Sequence, residues 1–164
     1  MVINMNKMIF RRATHADITS IVSLLEQVLY IHHVGRPDIF KEKGQKYTTQ
    51  RLAEIIEDDK NPVFVCEDKE GKILGHCFCQ SIIQEETPAM YSFKTLYIDD
   101  LCVDENARGN KVGKFLYDNV KSYARENGYF NITLHAWEKN PQAVEFYSHM
   151  GMQIQQYTME EVLI

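Results

Sequence analysis

The sequence predicts an α/β protein built on a mixed sheet, and three observations carry that prediction. Strand-like runs alternate with apolar-periodic helical runs in the order β-α-α-β-β-β-α-β-α-β. The run Thr95–Val103 passes through a short glycine-bearing turn directly into a helical pattern. The chain has 164 residues, an ordinary length for one domain around one core, here residues 1–164 with the core over about 8–163.

Each element has a local reason. Met8 to Arg12 reads as a first strand, and Thr14-x-x-Asp17 is a capping-box pattern with Asp in place of Glu. Behind it, Ile18, Ile21, Val22, Leu25, Val28 and Leu29 recur at helical spacing. Gly35, Pro37 and Gly44 make the segment from Ile31 to Lys46 a loop or a broken helix. A second helix is predicted from Thr49 to Asp59, with Leu52, Ile55 and Ile56 inward and Pro62 beyond its end. Val63–Glu67, the turn Asp68-Lys69-Glu70-Gly71 and Lys72–Ile83 form a hairpin. After a polar connection over 84–93 comes the strand Thr95–Val103. A helix follows from Val112 to Asn127, stopped by Gly128. A strand over Tyr129–Ala136, a short helix over Asn140–Met150 ended by Gly151, and a closing strand over Met152–Leu163 complete the chain.

Composition narrows the function classes. A net charge of −5 gives no electrostatic footprint for nucleic acid. No apolar run approaches the ~20 residues of a membrane span, and Met1 to Met8 carries no long apolar leader core. Cys66, Cys77, Cys79 and Cys102 form no C-x-x-C pair and no metal-ligand spacing with the six histidines. Free buried thiols fit a reducing, cytoplasmic setting, and no metal is expected. The neighbours His32 and His33 point apart on a helix end and lack an evident third ligand.

The stretch Asp104–Leu116 is the most informative. A strand, a turn holding Gly109 and Gly113, and a helix start together present unpaired backbone N–H groups and the positive end of a helix dipole to a phosphate. The spacing excludes a P-loop: the glycines are one residue too close, and Phe115 stands where a magnesium-binding Ser or Thr is required. It also lacks the third glycine of a dinucleotide fingerprint. A ligand-free tight turn is the competing reading of this segment alone.

A second motif follows: Asn140, Ala143, Phe146, Tyr147, Gly151 and Met152, in the form N-x-x-A-x-x-F-Y-x-x-x-G-M. Taken with Val103-Asp104-x-x-x-Arg108-Gly109-x-x-Val112-Gly113-x-x-Leu116, it resembles the GNAT superfamily of acetyl-CoA-dependent N-acetyltransferases. The resemblance covers about Met8 to Leu163, with its specific part over Leu101–Met152. It implies a mostly antiparallel central sheet with helices on both faces. One departure stands out: Lys111 occupies the middle glycine position of the family turn.

What the resemblance implies for chemistry is specific. The backbone of Arg108, Gly109, Asn110, Lys111, Val112, Gly113 and Lys114 would hold the CoA pyrophosphate. The strand through Leu101, Cys102 and Val103 would pair with the pantetheine arm, and an N–H of Leu101 or Val103 would polarise the thioester carbonyl. Asn140 would sit near the pantetheine, and as a helix N-cap it has a structural role as well. Tyr147 would protonate the departing thiolate. Simple alternation puts Tyr97, Asp99, Leu101 and Val103 on one face of their strand, with Asp100 opposite unless a bulge intervenes. The resemblance implies a base from positions like Tyr97 and Asp99, so Asp99 is the candidate base through a water relay, and His135 and Glu138 are outside candidates. Cys102 alternates away from Asp99, against a covalent acetyl-cysteine route. The acceptor pocket is assigned to His32, His33, Tyr97 and Trp137, with the 84–93 segment beside them. The expected activity is transfer of acetyl from acetyl-CoA to a primary amine of a small molecule or peptide, by direct attack in a ternary complex. The alternative is a CoA-binding sensor or interaction domain without turnover. The resemblance leaves a homodimer open.

Overall fold

A computed structural model describes residues 8–163, so the expectation for Met1–Lys7 lies outside the described residues. Among the described residues the strands are β1 (Ile9–Arg12), β2 (Val63–Glu67), β3 (Ile73–Gln84), β4 (Phe93–Val103) and β5 (Asn131–Leu134). They lie side by side in the order β1-β2-β3-β4-β5. The first three pairings are antiparallel and β4–β5 is parallel. The helices are α1 (Ile18–Gly35), α2 (Thr49–Glu57), α3 (Val112–Glu126) and α4 (Pro141–His149).

Alternation along β2 separates two apolar layers. Val63 and Val65 pack with Ile21, Leu24, Leu25, Leu52 and Ile56 of α1 and α2. Phe64 and Cys66 point the other way: Phe64 packs with Tyr117 and Val120 of α3, and Cys66 with Leu116. The sheet thus has helices on both faces, as the resemblance implied. The capping pattern at Thr14 works through Asp17, whose carboxylate accepts from the Thr14 N–H at 2.8 Å and is clamped by Arg11 at 2.8 and 2.9 Å.

Of the two readings of Ile31 to Lys46, a loop or a broken helix, the second holds at its start, because α1 continues to Gly35 before the chain turns. Two expectations need correction. The predicted strand over Tyr129–Ala136 shrinks to Asn131–Leu134. Residues 152–163 form no strand at all: beyond Met152, whose N–H bonds the Tyr147 carbonyl, no backbone–backbone hydrogen bond holds them among the described residues. Strand propensity is present there, but a strand needs an edge to pair with, and this segment is paired with none.

Gly75 on β3 is required by packing rather than by a turn. A Cβ there would lie 2.6 Å from the Cys102 carbonyl oxygen and 3.0 Å from Leu116 Cδ1. Gly75→Ala is therefore expected to destabilise the fold by roughly 1–3 kcal/mol, since rigid β4 backbone must move. Chemical denaturation of the variant checks this.

Candidate active site

The site begins where two parallel strands part. β4 and β5 pair only over Thr95–Ile98 and Asn131–Leu134. β4 then runs on to Val103, so among the described residues Asp99–Val103 has no strand neighbour on its β5 side. The wedge between the strands opens into a cleft of about 580 Å³, within the ~300–1,000 Å³ of small-molecule sites. Its walls are the open part of β4, the glycine turn, the end of β5 and the face of α4 carrying Phe146 and Tyr147.

The turn supplies donors. Among the described residues, the N–H groups of Gly109, Lys111, Val112, Gly113 and Lys114 find no partner within the protein. All five residues line the cleft. Gly109 takes φ +78° and Lys111 φ +64°, the left-handed geometry that turns successive amides toward one concavity. Asn110 serves the turn itself, its side-chain amide donating to the Ala107 and Arg108 carbonyls at 3.2 Å. Gly113 keeps the helix close to its neighbours: a Cβ would meet the Phe146 ring at 3.3 Å and Val103 at 3.5 Å. Lys111 is the chain's one described non-glycine residue with positive φ, a conformation costing an L-residue about 1–2 kcal/mol. Lys111→Gly is expected to raise unfolding stability by up to about 1 kcal/mol, after the entropy cost of glycine. A denaturant midpoint that fell would contradict this.

Asn140 takes the N-cap position expected of it. Its side-chain oxygen accepts from the Ala143 N–H at 3.3 Å, capping α4, and the residue also lines the cleft. Tyr147 faces the cleft and packs edge-on against Phe146 and Tyr117. Its hydroxyl makes no hydrogen bond to the protein among the described residues. Burial, reinforced by the nearby Cys77 and Asp100, pushes its phenol above the ordinary range.

The alternation expected along β4 fails at a bulge. Asp100 pairs with Phe78 and Ile98 with Cys79, which leaves Asp99 as an extra residue. The bulge resets the faces. Leu101 packs on the α3 side, whereas Cys102 packs against α1, its thiol donating to the Leu24 carbonyl at 3.4 Å. Leu101 and Val103 therefore do not share a face with Asp99 in the simple way the spacing implied. Asp99 and Asp100 instead meet at one cation: Lys46 Nζ lies 2.8 Å from Asp99 and 3.4 Å from Asp100. Tyr47 donates to Asp99 at 3.2 Å. Asp100 is buried and lies 2.9 Å from His76 Nε2. Burial works to raise Asp100, but His76 and the Lys46 ammonium outweigh it and hold this carboxyl below its usual range. Cys102 is pushed up to about 12, chiefly by burial and then by Asp100, so it is a thiol near neutrality.

The residues expected on the acceptor side divide. His32 and Trp137 line the cleft, joined by His135. His32 stacks on Phe40, and burial holds its imidazole below the ordinary range. His33 turns away, its Nδ1 lying 2.9 Å from the Phe40 carbonyl. Tyr97 is not part of the lining, but its hydroxyl lies 3.3 Å from Nδ1 of His135, which is. Neither Glu138 nor the 84–93 segment is part of the lining. Lys46 and His76 escaped the sequence reading because they touch the aspartates from 53 and 24 residues away. No local spacing signals such contacts. Among the described residues no group of three or more His, Cys, Asp or Glu converges as metal ligands would, and no helix is long and apolar enough to cross a membrane.

The sheet splays beside a donor-rich strand–turn–helix, and comparison with known proteins gives the family. The model of the acetyltransferase (GNAT) family matches residues 25–152, and the chain belongs to that family. The solved structure of a point mutant of the BH1408 protein from Bacillus halodurans shares 32% identity. It superimposes with a TM-score of 0.91 over 95% of this chain and 99% of that one. An uncharacterized N-acetyltransferase, MJ1207 of Methanocaldococcus jannaschii, is 27% identical over 118 residues, 71% of this chain. The chain spans about half the length of that curated relative. An aminoglycoside acetyltransferase, meta-AAC0020, from an uncultured soil metagenomic sample shares the fold, with a TM-score of 0.71 at 20% identity over 98% of this chain and 99% of that one.

Proposed function

We propose that this protein, acting as one domain, transfers the acetyl group of acetyl-CoA to a primary amine of a small molecule or peptide by direct attack in a ternary complex. The observation that carries the reading is the convergence of three features in one cleft: unpaired turn amides, an open strand edge and a tyrosine hydroxyl with no protein partner among the described residues.

The residues fit the donor. The amides of 108–114 suit a pyrophosphate, with the side chains of Arg108, Lys111 and Lys114 adding positive charge. The edge of Leu101–Val103 suits the amide groups of a pantetheine arm, and Asn140 stands at its mouth. Acetyl-CoA supplies an activated acyl group as a thioester. The acceptor nitrogen forms the new C–N bond to the carbonyl carbon while the C–S bond breaks. A β4 backbone N–H stabilises the oxygen as it gains charge. Tyr147 gives a proton to the sulfur, and its elevated phenol range keeps that proton in place until the thiolate leaves. The amine proton passes toward Asp99 by a water relay. His32, Tyr97, His135 and Trp137 shape the acceptor side. The buried, free thiols suit a cytoplasmic setting.

The test is release of CoA thiol from acetyl-CoA across a panel of amines, with an N-terminal peptide and a no-acceptor control. Release above hydrolysis with any acceptor supports transfer and identifies its class. Binding of acetyl-CoA with no release for any acceptor overturns it in favour of a CoA-binding domain without turnover.

A further inference from the structure

A primary amine of the chain itself stands against two carboxylates of the cleft wall. Lys46 Nζ lies 2.8 Å from Asp99 Oδ2 and 3.4 Å from Asp100 Oδ2, and both aspartates line the cleft. The other lysines with ion pairs are placed differently. Lys114 pairs with Asp118, and Lys72 and Lys139 pair with Asp104 and Glu138, neither of which lines the cleft. Among the described residues Lys46 is thus the one lysine in contact with a carboxylate of the cleft.

The surroundings of Lys46 leave it free to move. Residues 41–47 join α1 to α2 and make no backbone–backbone hydrogen bond among the described residues. The Lys46 side chain is 37% exposed, so its ammonium is not sealed in. Asp99 keeps a second partner, the Tyr47 hydroxyl at 3.2 Å, when Lys46 leaves it. An ammonium on an unbranched alkyl arm, held against Asp99, is also what an incoming amine acceptor would present before transfer. Lys46 presents it within the same molecule, where proximity favours reaction.

We propose that Lys46 is a self-acetylation site, its Nζ taking the acetyl group of acetyl-CoA bound to the same molecule. The proposal rests on the acetyl-transfer reading. Asp99 takes one proton from the ammonium and passes it to solvent. The freed lone pair forms the C–N bond to the thioester carbonyl carbon, and the C–S bond breaks. The sulfur takes a proton from Tyr147, and the second proton lost by the nitrogen restores that phenol. Acetyl-lysine and CoA thiol remain, with one proton released. The amide has no charge, so both ion pairs of Lys46 are lost.

Chemical acylation would choose other lysines first. Burial works to lower the Lys46 ammonium, but Asp100 and Asp99 outweigh it and hold it above its ordinary range. Exposed Lys41 and Lys43 on the same segment are therefore internal controls.

The test is incubation of the whole protein with acetyl-CoA and no added acceptor, followed by intact mass and peptide mapping. The expected result is one acetyl group on Lys46, added about tenfold or more faster than on Lys41 or Lys43. Its rate constant should not depend on protein concentration, and thiol release should stop at a single equivalent. Lys46→Arg keeps a cation at Asp99 and should lose that single equivalent. Tyr147→Phe should slow Lys46 by on the order of 10²-fold and leave Lys41 and Lys43 unchanged. Acetylation of Lys46 no faster than that of Lys41 and Lys43 overturns the proposal. So does a rate constant that rises with protein concentration, which means transfer between molecules, or one that ignores Tyr147→Phe. Turnover on an added amine with Lys46 unmodified overturns the proposal and leaves the acetyl-transfer reading standing; no transfer to any amine or to Lys46 overturns both.

Discussion

Tyr147→Phe is expected to lower kcat by on the order of 10²–10⁴-fold while leaving acetyl-CoA affinity unchanged, the range associated with loss of a general acid. The substitution removes one oxygen whose proton has no protein acceptor among the described residues, and it keeps the ring packed against Phe146 and Tyr117. The scaffold should therefore be unaffected, and rate is separated from binding. Single-turnover thiol release and calorimetric titration with acetyl-CoA check the two halves. Unchanged turnover would remove Tyr147 from the reaction, and lost affinity would make it a binding residue. The pH profile has a defined sign. In the proposed role the acid form is the active one, so rate falls as pH rises through the phenol's pKa. Burial raises that pKa above the ordinary value of about 10. The alkaline limb is thus displaced upward, and no Tyr147-dependent loss is expected between neutrality and mild alkalinity.

Asp100→Ala is expected to cost roughly 3–5 kcal/mol of stability, the penalty for deleting one member of a buried charged cluster. His76 is fully buried, and its Nδ1 already lacks a partner among the described residues; without Asp100 its Nε2 would lose its partner as well. Lys46 would keep Asp99 alone. The pH dependence follows from the depressed pKa of Asp100. Its contribution is complete above the unfolded carboxylate value near 4 and is lost as pH falls through the lower folded value. Thermal unfolding of wild type and Asp100→Ala should therefore differ most near neutrality and converge in strong acid. A constant gap across that range would show that packing, not the carboxylate, is what the residue contributes.

The glycine-turn and α4 walls of the cleft are legible in the sequence because their parts are local. Gly109 to Gly113 falls within one turn and the start of one helix, and Asn140 to Tyr147 within another helix. Amide orientation and side-chain facing in such segments follow from residue type and spacing over a few positions. The acceptor side is less legible, and Asp99 shows why. Alternation by two is a property of a regular strand, and one inserted residue at Asp99 inverts everything beyond it. Nothing in Asp99-Asp100 itself announces the bulge, since it is a mismatch of register against Phe78 and Cys79 on another strand. Adjacency to His32 suggests His33 for the site, yet neighbouring residues on a helix diverge by about 100°, and one of them had to leave.

The sequence by itself determined the order of most of the elements, the apolar faces of the first two helices, the strand–turn–helix that presents the amides and the place of Tyr147 on its helix. These depend on periodicity and on backbone preferences of a few consecutive residues. Tertiary structure alone decided the splay of β4 from β5, the meeting of Lys46, His76 and Asp100, and the unpaired state of residues 153–163. The Lys46–Asp100 contact spans 54 residues of chain, and the splay depends on where a parallel partner stops. A strand exists only when another edge accepts its hydrogen bonds. That is why 152–163 could read as a strand by pattern and yet remain unpaired within its own chain.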